Sequence, residues 1–160
     1  MIRACVAGDA AALCAIYNHY VRDTVVTFEE TPVVPAEMAQ RIVGVATRFP
    51  WLVAEEANEV VGYAYATPWK ARSAYRLSVE STVYVAPRQA RRGIGTALYA
   101  ELIDALRKLG VHAVVGGIAL PNAASIALHE KLGFKKIGQF SEIGRKFDRW
   151  VDVGYWQLLL

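Results

Sequence analysis

The stretch VYVAPRQARRGIGT, residues 83–96, constrains the fold more than any other part of the chain. It closes the run SVESTVYV at 78–85, whose β-branched content predicts a strand. Alternation puts Glu80, Thr82 and Tyr84 on one face and Val79, Ser81, Val83 and Val85 on the other. APRQARR at 86–92 breaks the strand as a loop. Gly93 then opens a helix with Ile94, Leu98, Leu102, Leu106 and Leu109 on its buried side and Glu101, Asp104, Arg107 and Lys108 on its wet side. Gly110 stops it. A strand that turns through glycine into an amphipathic helix lays that helix back on a sheet, so the fold is α/β. The turn also has a chemistry. A helix N-terminus offers unpaired N–H groups and the positive end of its dipole. Gly93 and Gly95 lack a Cβ, so an anion can come close to the backbone, and Arg88, Arg91 and Arg92 supply charge. The combination suits a pyrophosphate. The plain alternative is a helix start with solvated arginines.

The remaining pattern is consistent with one domain over residues 1–160. A first strand is predicted at 2–6, followed by a helix capped by Asp9 and running to about Tyr20. Pro35 starts a second helix with Met38, Ile42, Val45 and Ala46 on one stripe, and Pro50 ends it. Residues 51–55 and 60–67 form a hairpin about a turn at Ala57 and Asn58. A basic loop, PWKARSAYR, follows at 68–76. After the glycine helix come a strand at 111–120, a fourth helix from Pro121 and Asn122 to Gly133, and strands at 134–140 and 149–159. The order is β-α-α-β-β-β-α-β-α-β-β, a mixed sheet flanked by about four helices.

Charge narrows the ligand. Lys and Arg exceed Asp and Glu by only three, too few for a dedicated nucleic-acid binder. Yet residues 70–92 carry Lys70, Arg72, Arg76, Arg88, Arg91 and Arg92 against the single acid Glu80, a local excess suited to an anionic ligand. Cys5 and Cys14 show no CxxC pattern and read as buried free thiols, with no metal implied. Asp9 interrupts the N-terminal apolar stretch, and the apolar run at 113–120 is far short of the roughly 18–20 residues that span a bilayer. A cytoplasmic protein with no membrane association is the expectation. There is no GxxxxGK[ST], and Leu98 occupies the third position of a GxGxxG.

RRGIG at 91–95 after an extended strand resembles the acetyl-CoA motif of the GNAT superfamily of N-acetyltransferases. Asn122, Ala127 and EKLGF at 130–134 resemble that superfamily's second cofactor element, in the right order. A narrower set resembles its phosphinothricin N-acetyltransferase branch: PWKARSAY at 68–75, VESTVYV at 79–85, LPN at 120–122, His129-Glu130 and DVGYWQ at 152–157. The resemblance implies the GNAT fold, acetyl-CoA as co-substrate, a homodimer, and an acceptor amine on a small amino-acid analogue such as phosphinothricin, methionine sulfoximine or methionine sulfone. The cofactor side it implies comprises Val83, Tyr84, Val85, Arg88, Arg91, Arg92, Gly93, Ile94, Gly95, Thr96, Asn122 and Ser125. Backbone N–H groups of Tyr84 and Val85 are expected to bond pantetheine and polarise the thioester carbonyl.

An ammonium has no lone pair, so the acceptor must lose a proton before attack. Glu80 is the leading base, because a carboxylate in a valine-rich strand has to be paired or raised in pKa; the alternative is an acid paired with Arg76 or Lys70. His129 stands where much of the superfamily has a tyrosine that is proposed to protonate the departing thiolate, and an imidazole suits acid, base or structural duty. Asn122, Ser125 and His129 share one helix face, and Asn122 suits both a helix cap and a pantetheine partner. On the acceptor side, Lys70, Arg72, Tyr75 and Tyr84 offer cations and phenols to an acidic tail. Phe28 lies where the branch has a substrate-side loop, or anchors that loop to the core. Neither cysteine sits in a nucleophile setting, so direct transfer without an acyl-enzyme is expected. The strand at 151–160 is either a dimer surface or core. Rival readings are a GNAT enzyme with another amine acceptor and a non-catalytic CoA-binding sensor.

Overall fold

The computed structural model describes residues 1–160. One seven-stranded sheet runs in the order β1-β2-β3-β4-β5-β7-β6. Its strands are β1 (Ile2–Ala4), β2 (Trp51–Glu56), β3 (Glu59–Pro68), β4 (Ser78–Val85), β5 (Ala113–Ala119), β6 (Lys135–Lys146) and β7 (Arg149–Leu159). Four helices cover it: α1 (Ala10–Asp23), α2 (Pro35–Ala46), α3 (Ile94–Lys108) and α4 (Ala123–Lys131). The element order is the one expected from the sequence. No helix is long and apolar enough to cross a membrane.

Two cores sandwich the sheet. On one face Leu98, Tyr99, Leu102 and Leu106 of α3 pack on Ala64, Ala66, Val79 and Val114. Each buried leucine contributes roughly 2 kcal/mol. On the other, Leu13, Ile16 and Tyr17 of α1 and Met38 and Ile42 of α2 pack on Trp51, Val53 and Tyr63. The β2–β3 turn needs positive φ at Ala57 and Asn58 and finds it, at 48° and 64°.

Three expectations change. Asp9 does not cap α1 through its side chain. Its carboxylate accepts the Val6 N–H and two bonds from Arg3 instead, because a cation six residues back is the stronger partner. The strand predicted to end at 140 continues to Lys146 as a long hairpin closed by Phe147 and Asp148 in positive φ. The residues at 151–160 do not form an exposed edge: β7 lies between β5 and β6, with Val151 and Trp156 buried.

Sheet pairing is antiparallel except between β4 and β5, and that exception makes the site. The parallel pair is formed only by Ser78, Val79 and Glu80 opposite Ala113, Val114 and Val115. Both strands then continue without pairing to each other, β4 to Val85 against β3 and β5 to Ala119 against β7. The sheet opens there into a gap.

Candidate active site

The gap gives β4 a free edge. Ala86 N–H bonds Val61, and Trp69 N–H bonds Ser78, across the β3–β4 ladder. Antiparallel alternation therefore turns the backbone groups of residues 80, 82 and 84 toward β3, and those of Val83 and Val85 toward the gap. The N–H groups of Val83 and Val85 lie beyond the last β4–β5 pair. This corrects the expected pair of donors. Tyr84 N–H belongs to the β3 ladder, and Val83 with Val85 carries the free edge. Val85 C=O is taken by the Tyr20 hydroxyl at 2.6 Å.

A groove of about 490 Å³ runs from this edge to the start of α3, lined by Val83, Val85, Arg91, Gly93, Gly95 and Thr96 on one side and Asn122, Ser125 and Lys131 on the other. Gly93 caps α3 at φ 81°, a conformation that favours glycine, with nothing within 4 Å of an added Cβ. Gly93, Ile94, Gly95 and Thr96 at the start of α3 line the groove, and a helix N-terminus there suits an anion. Arg91 lines it, but Arg88 and Arg92 do not. Arg92 turns away to pair with Glu56 at 3.0 Å and also bonds Gln89. Lys131, on the last turn of α4, supplies the second cation that sequence reasoning missed. Two cations, a helix N-terminus and an unpaired strand edge fit a diphosphate joined to an amide-bearing arm. No group of three His, Cys, Asp or Glu is placed to hold a metal.

The groove shares Val26, Val83, Tyr84, Asn122 and Ser125 with a second cavity of about 400 Å³. Here the two sheet faces meet. Glu80 and His129 both line the cavity, with Phe28, Tyr99, Gly117 and Tyr155. Two glycines of β5 make the room. An added Cβ on Gly117 would stand 3.4 Å from Glu80 Oε1 and 3.2 Å from the Tyr155 ring. One on Gly116, on the opposite face, would run into the His129 ring. Burial raises the Glu80 carboxyl above its ordinary pKa, while the Lys70 ammonium pulls it the other way. Glu80 has no ion-pair partner of its own, so the alternative, pairing with Arg76 or Lys70, does not form.

His129 is buried at 4% exposure. Its Nδ1 lies 2.7 Å from Ser125 C=O, which can only accept, so Nδ1 carries a proton. Burial lowers the ring's pKa, opposed by that bond, so Nε2 is bare at neutral pH. Nε2 then accepts from the Tyr99 hydroxyl at 3.0 Å, and Tyr99 accepts from Ser81 Oγ at 2.5 Å. The imidazole thus stands at the end of a buried chain of hydroxyls. Asn122 Oδ1 accepts Ser125 N–H at 3.1 Å, so it caps α4 while lining both cavities.

Lys70, Arg72 and Tyr75 are not brought into this cavity. They line a separate basic groove with Arg48 and Arg76. The two sites share a wall: Lys70 Nζ stands 4.9 Å from the Trp69 ring, which packs edge-on against Tyr155 at 5.9 Å. Phe28 and Tyr84 do line the cavity. Sequence reasoning missed Tyr99, Tyr155 and Gly117; the adjacent glycines in a predicted strand are the one signal that marks a close approach. Cys5 and Cys14 are buried, with burial pushing the Cys5 thiol up to about 12.

The acetyltransferase (GNAT) domain family matches residues 2–154. A phosphinothricin N-acetyltransferase of Streptomyces viridochromogenes is 46% identical over 98% of this chain and 85% of its own. A ribosomal-protein-alanine N-acetyltransferase from Brucella melitensis superposes with a TM-score of 0.98 at 41% identity, covering 100% of this chain and 99% of that one. A phosphinothricin acetyltransferase from Sinorhizobium meliloti, solved with acetyl-CoA, gives 0.96 at 38% identity over 100% and 88% of the two chains. The chain belongs to the GNAT family and is an acetyl-CoA-dependent N-acetyltransferase.

Proposed function

We propose that the acceptor is a small amino acid with a polar or acidic tail, phosphinothricin or methionine sulfoximine and sulfone in type, and that Glu80 removes its ammonium proton. The carrying observation is the position of Glu80: a carboxyl raised by burial, inside the cavity, next to the free β4 edge. A raised carboxyl holds an ammonium proton better than an ordinary one. Acetyl-CoA, when bound, supplies the acetyl thioester. Val83 and Val85 N–H offer fixed donors along its path, and Arg91, Lys131 and the α3 amides hold its diphosphate. His129 and Tyr99 keep the far wall of the cavity in place and exclude water from it. Transfer is direct, since the Cys5 thiol is held protonated. The separate basic groove beyond Trp69, with Lys70 and Arg72, draws an acidic acceptor toward the cavity from outside it.

The resemblance to the ribosomal-protein-alanine enzyme favours a second reading, in which the amine is a protein N-terminus. A panel of phosphinothricin, methionine sulfoximine, methionine sulfone, ordinary amino acids and an alanine-terminated peptide, followed by thiol release, separates them. Turnover on the peptide alone would overturn the amino-acid reading.

The chain is also proposed to work as a homodimer. β6 is a twelve-residue edge strand, and Ile137, Phe140, Ile143, Phe147 and Trp150 on its hairpin are each 53–61% exposed. An apolar edge of this length invites pairing, and a second copy covers it with the same surface.

A further inference from the structure

The cavity wall formed by residues 24–33 has no helix or strand, and the backbone of residues 25–33 makes no backbone–backbone hydrogen bond. Side chains hold it. Asn18 exchanges two bonds with the Val33 backbone, Arg41 grips the Glu29 carboxylate, and the Tyr17 hydroxyl meets Thr27 Oγ1 at 2.7 Å. These ties come from α1 and α2, behind the wall.

Another tie comes from the opposite side. Lys146 ends β6 and is 2% exposed. Its Nζ donates to Thr27 C=O at 2.8 Å and reaches Tyr20 C=O at 3.5 Å. It stands 5.1 Å from the Phe147 ring centroid. No carboxylate lies within ion-pair reach, Glu30 acting only from a distance. Desolvating an ammonium costs several kcal/mol, and an apolar side chain would fill the same space without that cost. Packing alone therefore does not account for a lysine here. The bond to Thr27 does, because that carbonyl has no backbone partner. Two residues earlier, the Phe28 ring lies on Gly144 so closely that any Cβ there would strike it. The hairpin end thus engages the wall twice, at Phe28 and at Thr27.

We propose that Lys146 is a positioning residue for the acceptor: its ammonium, bonded to the Thr27 carbonyl, sets Val26, Thr27 and Phe28 against the cavity. The proposal rests on reading that cavity as the acceptor site. Lys146→Met keeps the stem and removes the donor; Lys146→Gln keeps a neutral donor. In Lys146→Met the acceptor KM should rise by about fivefold or more while the acetyl-CoA KM stays within about twofold, with Lys146→Gln between it and the wild type. Amide exchange of residues 25–33 in the protein without ligands should quicken by about tenfold. That arm needs no acceptor, so faster exchange in a protein whose wild type acetylates nothing in the panel would sink the acceptor reading and leave the clamp standing. Unchanged acceptor KM, an equal rise in both KM values, or failure of both variants to fold would overturn the positioning role.

Discussion

Replacing Glu80 with Gln separates what this carboxyl does for catalysis from what it does to the fold. Glutamine has the same shape, so the packing of this side chain in the cavity is kept and only the proton acceptor is lost. A positioned base contributes about 10²–10⁴ in rate, so kcat with the best acceptor should fall by that factor, about 3–5 kcal/mol of barrier. Glu80 does not line the cofactor groove, so the KM for acetyl-CoA should hold. The fold should respond in the opposite sense. The folded pKa lies above the unfolded one, so the native state binds the proton more tightly, and stability falls as pH rises from the ordinary carboxylate range through the raised value. Above that value the ionised group weakens the fold, and Glu80→Gln should raise the melting temperature there, with the gain vanishing at low pH. Stopped-time thiol release across pH and thermal unfolding at pH 4 and pH 7 read both halves. The wild-type kcat/KM should show an acid limb centred above the ordinary glutamate range, and Glu80→Gln should lack it. Near-wild-type turnover at every pH, or a variant that melts lower at pH 7, refutes the reasoning.

Arg91→Ala should weaken acetyl-CoA binding by about tenfold or more, most at low salt, as loss of a charge-assisted contact does. Arg92→Ala should change it by no more than about twofold, since an exposed pair such as Arg92–Glu56 contributes about 0–1 kcal/mol; calorimetry at two salt concentrations checks both. Gly116→Ala should destabilise the fold by about 1–3 kcal/mol by pushing His129 off Tyr99, seen as a lower denaturant midpoint. Gly117→Ala should fold nearly normally and lose turnover, because the displaced atoms belong to Glu80 and Tyr155. Trp150→Asp should shift sedimentation from dimer to monomer if the β6–β7 hairpin is the shared surface.

The fold was legible where local chemistry acts alone. Gly93 opens a helix, Pro35 begins one and Gly110 ends one, each as its local chemistry dictates. Strand alternation placed Glu80 and Tyr84 on one face for the same reason. Asp9 was misread because its true partner, Arg3, lies on another element, and a guanidinium outbids an amide for a carboxylate. The hairpin past 140 was cut short because Phe147 and Asp148 take positive φ without the asparagine or glycine that normally announces it.

The site was legible in residue type and not in direction. RRGIG presents two arginines side by side, but successive residues in a turn point apart: one faces the groove and the other meets Glu56. Which β4 amides are free depends on ladder parity, which is set by Ala86 pairing with Val61 and is invisible in the strand's own sequence. Lys146 is the extreme case, since a lysine in an exposed hairpin gives no hint that its ammonium is buried against a segment more than a hundred residues away.

The gap between β4 and β5 is kept open at a cost that fixes where the site can be. Continued parallel pairing in the same register would give Val83 and Val85 ladder partners and stabilise the sheet, yet it would close both cavities at once. Glycine at 116 and 117 leaves room beside the gap, on the two faces of β5, for the His129 ring and the Glu80 carboxyl. The seam therefore holds a half-buried carboxyl and a buried imidazole, each unfavourable by itself. Stabilising changes at this seam, such as removal of the Glu80 charge, should be the ones that cost activity, while equal stabilisation of α2 or the β2–β3 hairpin should not.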